Sequence, residues 1–150
     1  MDSADTASFR ATTASPSPWL EPDELWDRHG PALYAMACLL VDDEADAVLA
    51  VTLGMMEVYR IPQPEPTLRR AARYVHRHCV TLEPNTVDPA VATPAMARLG
   101  EVARLQRSAL ALCLFGGHTY RDAAAELGIA TEAVAWLLIS GLRELGDIAR

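Results

Sequence analysis

The chain contains no lysine. All 13 of its basic residues are arginine, and 20 acids outweigh them to a net charge of −7. Such a balance excludes generic adhesion to polyanions, because phosphates are repelled. Aromatic residues are also scarce, at 6%, although apolar residues reach 51%. A core must therefore be built from Ala, Leu, Val and Met, a mix that favours helices over strands. No segment alternates with period two, so no strand is expected, and there is no internal repeat. The three cysteines, Cys38, Cys79 and Cys113, are odd in number and widely spaced. That argues against a disulfide framework and fits a reducing, cytoplasmic location. The longest apolar stretches, 32–41 and 133–142, are ten residues each. A membrane span needs roughly 20, so no membrane association is expected. The N-terminus is acidic and polar, unlike a signal peptide.

What the chain does contain is uneven. Residues 1–59 carry 11 acids and 2 arginines, residues 60–107 carry 4 acids and 8 arginines, and residues 108–150 carry 5 acids and 3 arginines. Only the middle third has the charge to face a polyanion. Residues 1–18, rich in Ser, Thr, Ala and Asp, read as a disordered tail. A helix is predicted from Pro22, with Leu25, Trp26, His29, Leu33, Tyr34, Ala37 and Leu40 on one face. Asp42-Asp43 ends it and can cap a second helix running to about Tyr59. Prolines 62, 64 and 66 break the chain. A third helix is predicted over 67–81, burying Leu68, Ala72, Val75 and Cys79 and exposing Arg69, Arg70, Arg73 and Arg77. Residues 82–94, with Pro84, Pro89 and Pro94, read as a linker. A helix is expected over 98–115, stopped by Gly116-Gly117. Two more follow, 120–127 capped by Thr119 and 131–148 capped by Thr131. The fold class is therefore all-α: two small helical domains, 19–81 and 95–150, joined by a Pro-rich linker.

Ala124, Gly128 and Val134 have the spacing of a helix-turn-helix. A small residue lets the helices approach, a glycine supplies the turn, and Val134 packs the second helix on the first. Tyr120, Ala123, Leu127, Ile129, Leu138 and Leu142 complete the expected core. A plain α-hairpin has the same pattern, so the spacing leaves both open. His76 and Cys79 share a helix face, but no second ligand pair accompanies them, and no metal site is expected. Cys38 and Cys113, in apolar helices, are expected in the core. There is no glycine-rich phosphate loop and no nucleophile–base pair, so neither an enzyme nor a cofactor is expected.

Two segments together resemble a known family. Leu105–Leu112 and Phe115–Ile129 resemble the C-terminal promoter-binding domain of bacterial RNA polymerase sigma factors, closest to the extracytoplasmic-function (ECF) group. Leu25–Tyr34 looks like that family's opening helix, Asp43–Ala47 with Met55–Arg60 its second, and Leu68–Val75 its strand-separating helix. The resemblance spans about residues 22–148 in the family's order. It implies two helical domains on a flexible linker. The first would grip the polymerase and the melted promoter strand, and the second would place a recognition helix in the major groove. It marks Arg69, Arg70, Arg73 and Arg77, with Tyr74 as a stacking partner, as candidates for single-stranded promoter DNA. The bland reading of that cluster is a solvated face pairing with the acidic first helices. Thr119, Arg121 and Thr131 complete the candidate nucleic-acid set.

The departures fall on the working surfaces. Where the family docks on polymerase with polar groups, this chain has Val48, Leu49, Thr52 and Leu53. Where the family's recognition helix is basic, this chain has Ala135, Trp136, Leu137, Ile139 and Ser140, with Glu144 beyond. Loss of these cations predicts weak promoter binding. Val48, Leu49, Leu53, Trp136, Leu137 and Ile139 are therefore candidate protein-interface residues. Burial of the Trp136 patch against the first half of the same chain is the other reading. The expected function is a sigma-like ECF-type regulator acting through protein contacts with an anti-sigma factor, RNA polymerase or another regulator. The alternative is a working divergent ECF sigma factor. A third reading is an unrelated helical interaction domain.

Overall fold

Glu21 opens the first helix, α1 (Pro22–Leu40): the Glu24 carboxylate accepts the Glu21 N–H at 3.3 Å, and Pro22 occupies the first turn, where its missing N–H costs nothing. The Asp43 carboxylate accepts from the N–H groups of Ala45 and Asp46, at 2.8 and 3.1 Å, and starts α2 (Glu44–Arg60). Then come α3 (Thr67–Leu82), α4 (Pro94–Leu114), α5 (Tyr120–Leu127) and α6 (Thr131–Ile148). The computed structural model describes residues 21–60, 67–83, 90–91 and 93–150. All regular structure among them is helical, with no strand. The expected tail 1–18, the proline break over 61–66 and most of the expected linker (84–89 and 92) lie outside the described residues.

Two helix starts differ from expectation. α4 begins at Pro94, four residues before the predicted start, because Thr93 accepts the Met96 N–H at 3.2 Å and Pro94 suits the first helical position. The sequence pattern treats Pro94 as a breaker, whereas here it is an initiator. Thr131 does not cap α6: it is the first helical residue, and Ala130 precedes it without a side-chain cap. Thr119 does cap α5, accepting the Asp122 N–H at 3.2 Å while the Asp122 carboxylate accepts the Thr119 N–H at 3.0 Å. Gly117 and Gly128 hold positive φ, 67° and 68°, and end α4 and α5.

Helices α1, α2 and α3 pack on one another, α4, α5 and α6 do likewise, and α4 also meets α1 and α3. Helices α2 and α3 come close at Gly54, where an added Cβ would lie 2.8 Å from the Val75 backbone nitrogen. One buried cluster draws on all six helices, from Leu25 and Leu33 through Val51 and Val75 to Leu112, Ala124 and Val134. Ala124 and Val134 are buried as the spacing requires, and the chain bends by 112° between α5 and α6. Cys38, Tyr120 and Leu142, expected in the core, are exposed, and Cys113 is half-buried. Cys38 lies well away from the buried row of Leu33, Met36, Ala37 and Leu40, Tyr120 is the first residue of α5, and Leu142 sits at the margin of the α6 apolar face. Among the described residues no single helix is long and apolar enough to cross a membrane.

Candidate interaction surfaces

The arginines of α3 do not form the open basic face that their spacing suggests. Arg70 is only 3% exposed and its guanidinium donates to the Val58 carbonyl in the last turn of α2. That carbonyl has no intrahelical partner, and a cation there complements the helix dipole. Arg70 is therefore a structural capping residue, which corrects its placement on the exposed face.

Arg69, Arg73 and Arg77 do share a face, and that face meets α5. Arg69 lies 3.5 Å from the Asp122 carboxylate, and Arg73 and Arg77 lie 3.1 and 3.3 Å from the two oxygens of Glu126. These carboxylates are on α5, and on the same helix α3 His78 Nε2 lies 3.2 Å from the Glu57 carboxylate of α2. Tyr74 is half-buried, with the Arg77 guanidinium 5.9 Å from its ring centre. Arg121 is exposed and lies over the Tyr120 ring at 5.7 Å. Thr119 is spent on its cap, and Thr131 is half-buried.

Two histidines line the same seam. His76 Nε2 lies 3.0 Å from the Ser108 hydroxyl of α4, and His118 donates from Nδ1 to the Gly116 carbonyl at 3.0 Å. Burial lowers both pKa values below the ordinary 6.5, and each ring also feels a nearby arginine, Arg77 for His76 and Arg69 for His118. Cys79, three residues after His76, is buried, and its thiol is pushed up to about 12 chiefly by that burial. Among the described residues no group of three or more His, Cys, Asp or Glu is placed to hold a metal ion.

The apolar candidates divide. Val48 and Leu49 are exposed on α2, and Leu53 is half-buried. Val48 shares a groove of about 290 Å³ with Trp26, Gly30, Pro31, Tyr34 and Val51. Trp26 and Tyr34 were expected on the buried face of α1, yet they are exposed at the rim of this groove. Their aromaticity was the available signal, since an amphipathic ring sits readily at the margin of a helix face. The Tyr34 hydroxyl donates to the Glu44 carboxylate at 3.2 Å. Its pKa is raised to about 12, first by its hydrogen bond with the Cys38 thiol and further by Glu44.

On α6 the partition is sharper. Trp136 is 65% exposed and Ile139 53%, so the reading in which the Trp136 patch folds back on the first half does not hold. Leu137 is only 6% exposed and belongs to the core, which corrects its assignment to the surface patch. Its backbone carbonyl accepts from the Gln106 amide of α4 at 3.5 Å, and Gly141, one turn on, packs against Leu110 and Gln106. Asp122 and Glu126 were missed as site residues. Their four-residue spacing on α5 matches that of Arg69 and Arg73 on α3, and that match was the signal. No family model matches this chain, and neither a curated protein nor a solved structure does.

Proposed function

We propose that this chain is a sigma-like transcription regulator of the ECF type that works mainly through protein contacts. Its partner would be an anti-sigma factor, RNA polymerase or another regulator. The sequence resemblance supplies the family reading. The helix order, the αL Gly128 and the 112° bend between α5 and α6 are compatible with a helix-turn-helix. The observation that carries the proposal is the outer face of α6. It offers Trp136 and Ile139 where a DNA reader needs cations, and the helix has Arg143 alone against Glu132, Glu144 and Asp147. Such a face repels phosphate and suits an apolar partner surface.

The alternative, a working divergent ECF sigma factor, draws support from the arginine row of α3. Paired capture from host lysate separates the two readings. The full chain and its Trp136→Ala variant serve as baits, and the captured proteins are identified by mass spectrometry. The proposal expects a partner held by the wild type and lost by the variant, with no binding of the wild type to duplex promoter DNA at moderate salt. Near-stoichiometric core polymerase, together with transcription from a promoter template, would establish the alternative instead.

A further inference from the structure

The start of α4 and the end of α6 run out of the body of the protein. Every residue over 94–104 and over 142–148 is exposed, although both stretches are helical. Helix of this length is marginal in water without packing to support it. The two helices meet where Gly141 packs against Leu110 and Gln106. On α4, Met96, Leu99 and Ala103 continue the row of Gln106 and Leu110 in steps of three and four, with Val102 beside them. On α6, Leu145 and Ile148 continue the row of Val134, Leu137 and Gly141, with Leu142 beside them. The faces that pack where the helices meet thus run on into water as apolar surface. Met96, Leu99, Val102, Leu142, Leu145 and Ile148 are each between 45% and 82% exposed, so within one chain neither stretch covers the other. The edges of the two faces differ in charge. Arg98 borders the α4 face beside Val102, and Glu144 and Asp147 border the α6 face beside Ile148, on the same side of each helix. Antiparallel packing brings those two edges together, cation against carboxylates. On the other edge Gly100, beside which an added Cβ would find only open space, falls opposite the bulky Leu142.

We propose that the chain pairs with a second copy of itself, the N-terminal turns of α4 in each copy lying antiparallel on the C-terminal turns of α6 in the other. The charge match between the two faces is what selects a second copy as the occupant. The two contacts are equivalent by two-fold symmetry, so assembly closes at two chains. Six half-exposed aliphatic residues from each copy make a small interface beside the ~800 Å² per partner of a standard one, which sets the expected Kd at about 10–100 µM. The pairing uses the inner face of α6, not the outer face that carries Trp136, and stands apart from the transcription-regulator reading.

The test is sedimentation velocity of the full chain from about 2 to 500 µM, a range that brackets the expected Kd. Wild type is expected to pass reversibly from one chain to two and to stop there. Leu99→Glu puts a charge in the middle of the α4 face and is expected to remain a single chain throughout. Arg98→Glu, or Glu144→Arg with Asp147→Arg, sets like charges together and is expected to weaken pairing about tenfold, because each contact occurs twice. Combining all three substitutions reverses the charges on both edges and is expected to restore pairing to near wild type. Trp136→Ala is expected to change nothing. A single chain at every wild-type concentration, growth past two chains, pairing that survives Leu99→Glu, a charge reversal that fails to restore pairing, or loss of pairing in Trp136→Ala would each overturn the proposal. Circular dichroism establishes that the variants fold. If Leu99→Glu does not, Ile148→Glu on the α6 face decides in its place, with a single chain expected and a pair against the proposal.

Discussion

Trp136 and Leu137 are neighbours in sequence and opposites in environment. Leu137 is closed into the core, so Leu137→Ala leaves a cavity and is expected to lower unfolding stability by about 2–5 kcal/mol in urea titrations. Trp136→Ala removes a side chain that is mostly in water and is expected to stay within roughly 0.5 kcal/mol of wild type. A large loss for Trp136→Ala would mean that the ring is packed and not presented. Gly54 is a third residue whose environment decides the outcome. A methyl group there would meet the Val75 backbone, which cannot swing aside as a side-chain tip can. Gly54→Ala is expected to cost about 1–3 kcal/mol by forcing α2 and α3 apart, although alanine is the better helix former. The same titration would show it, and an unchanged or raised midpoint would contradict the close approach.

At the scale of elements, α5 depends most on its cap, because eight residues hold few internal hydrogen bonds. Thr119→Ala removes the acceptor for the Asp122 N–H and the hydroxyl that donates to the Asp122 carboxylate at 2.6 Å. The expected cost is about 0.5–2 kcal/mol in a thermal or urea melt, and a neutral result would show that the cap is idle. The Thr119 hydroxyl, then its backbone N–H, holds the Asp122 carboxyl below its ordinary 3.8. The capping contribution is thus present above that pH and fades as pH falls through the lowered value. Caps of this kind made the helices legible in sequence: Glu21-Pro22, Asp43, Thr119 and Gly128 all stand where local chemistry places them. What was not legible depends on partners distant in sequence. Arg70 looks like its neighbours until Val58 is seen behind it, and the acids that neutralise Arg69, Arg73 and Arg77 lie on a helix some fifty residues further along. Trp136 and Leu137 have the same hydrophobic character, and only the packing of α6 on α4 separates them.

At the scale of the whole molecule, the seam between α3 and the α4–α5 connection gathers groups of one potential sign. His76 and His118 are buried there, His76 near Arg77 and His118 near Arg69, with Glu126 acting on both rings and Asp122 on His118. Burial is the main cause that lowers both histidine pKa values. His118 and Arg77 add to it at His76 while Glu126 opposes; at His118, Arg69 adds while the Gly116 carbonyl, Glu126 and Asp122 oppose. His29 on α1 is lowered as well, by burial and then Arg28. A histidine with a folded pKa below its unfolded value binds protons more readily when unfolded. Its neutral form supports the fold above about 6.5, and that support is lost as pH falls through the lowered value. The urea midpoint should therefore drop between pH 7.5 and pH 5.5, with a slope of at most about 1.4 kcal/mol per pH unit for each histidine. Replacing His76 and His118 with glutamine keeps polar groups at both positions but removes the titration. The double variant should retain only the shallower slope left by His29 and the carboxylates. A wild-type midpoint that holds or rises on acidification would mean that the two rings are open to water, and that α5 does not close on α3 in solution.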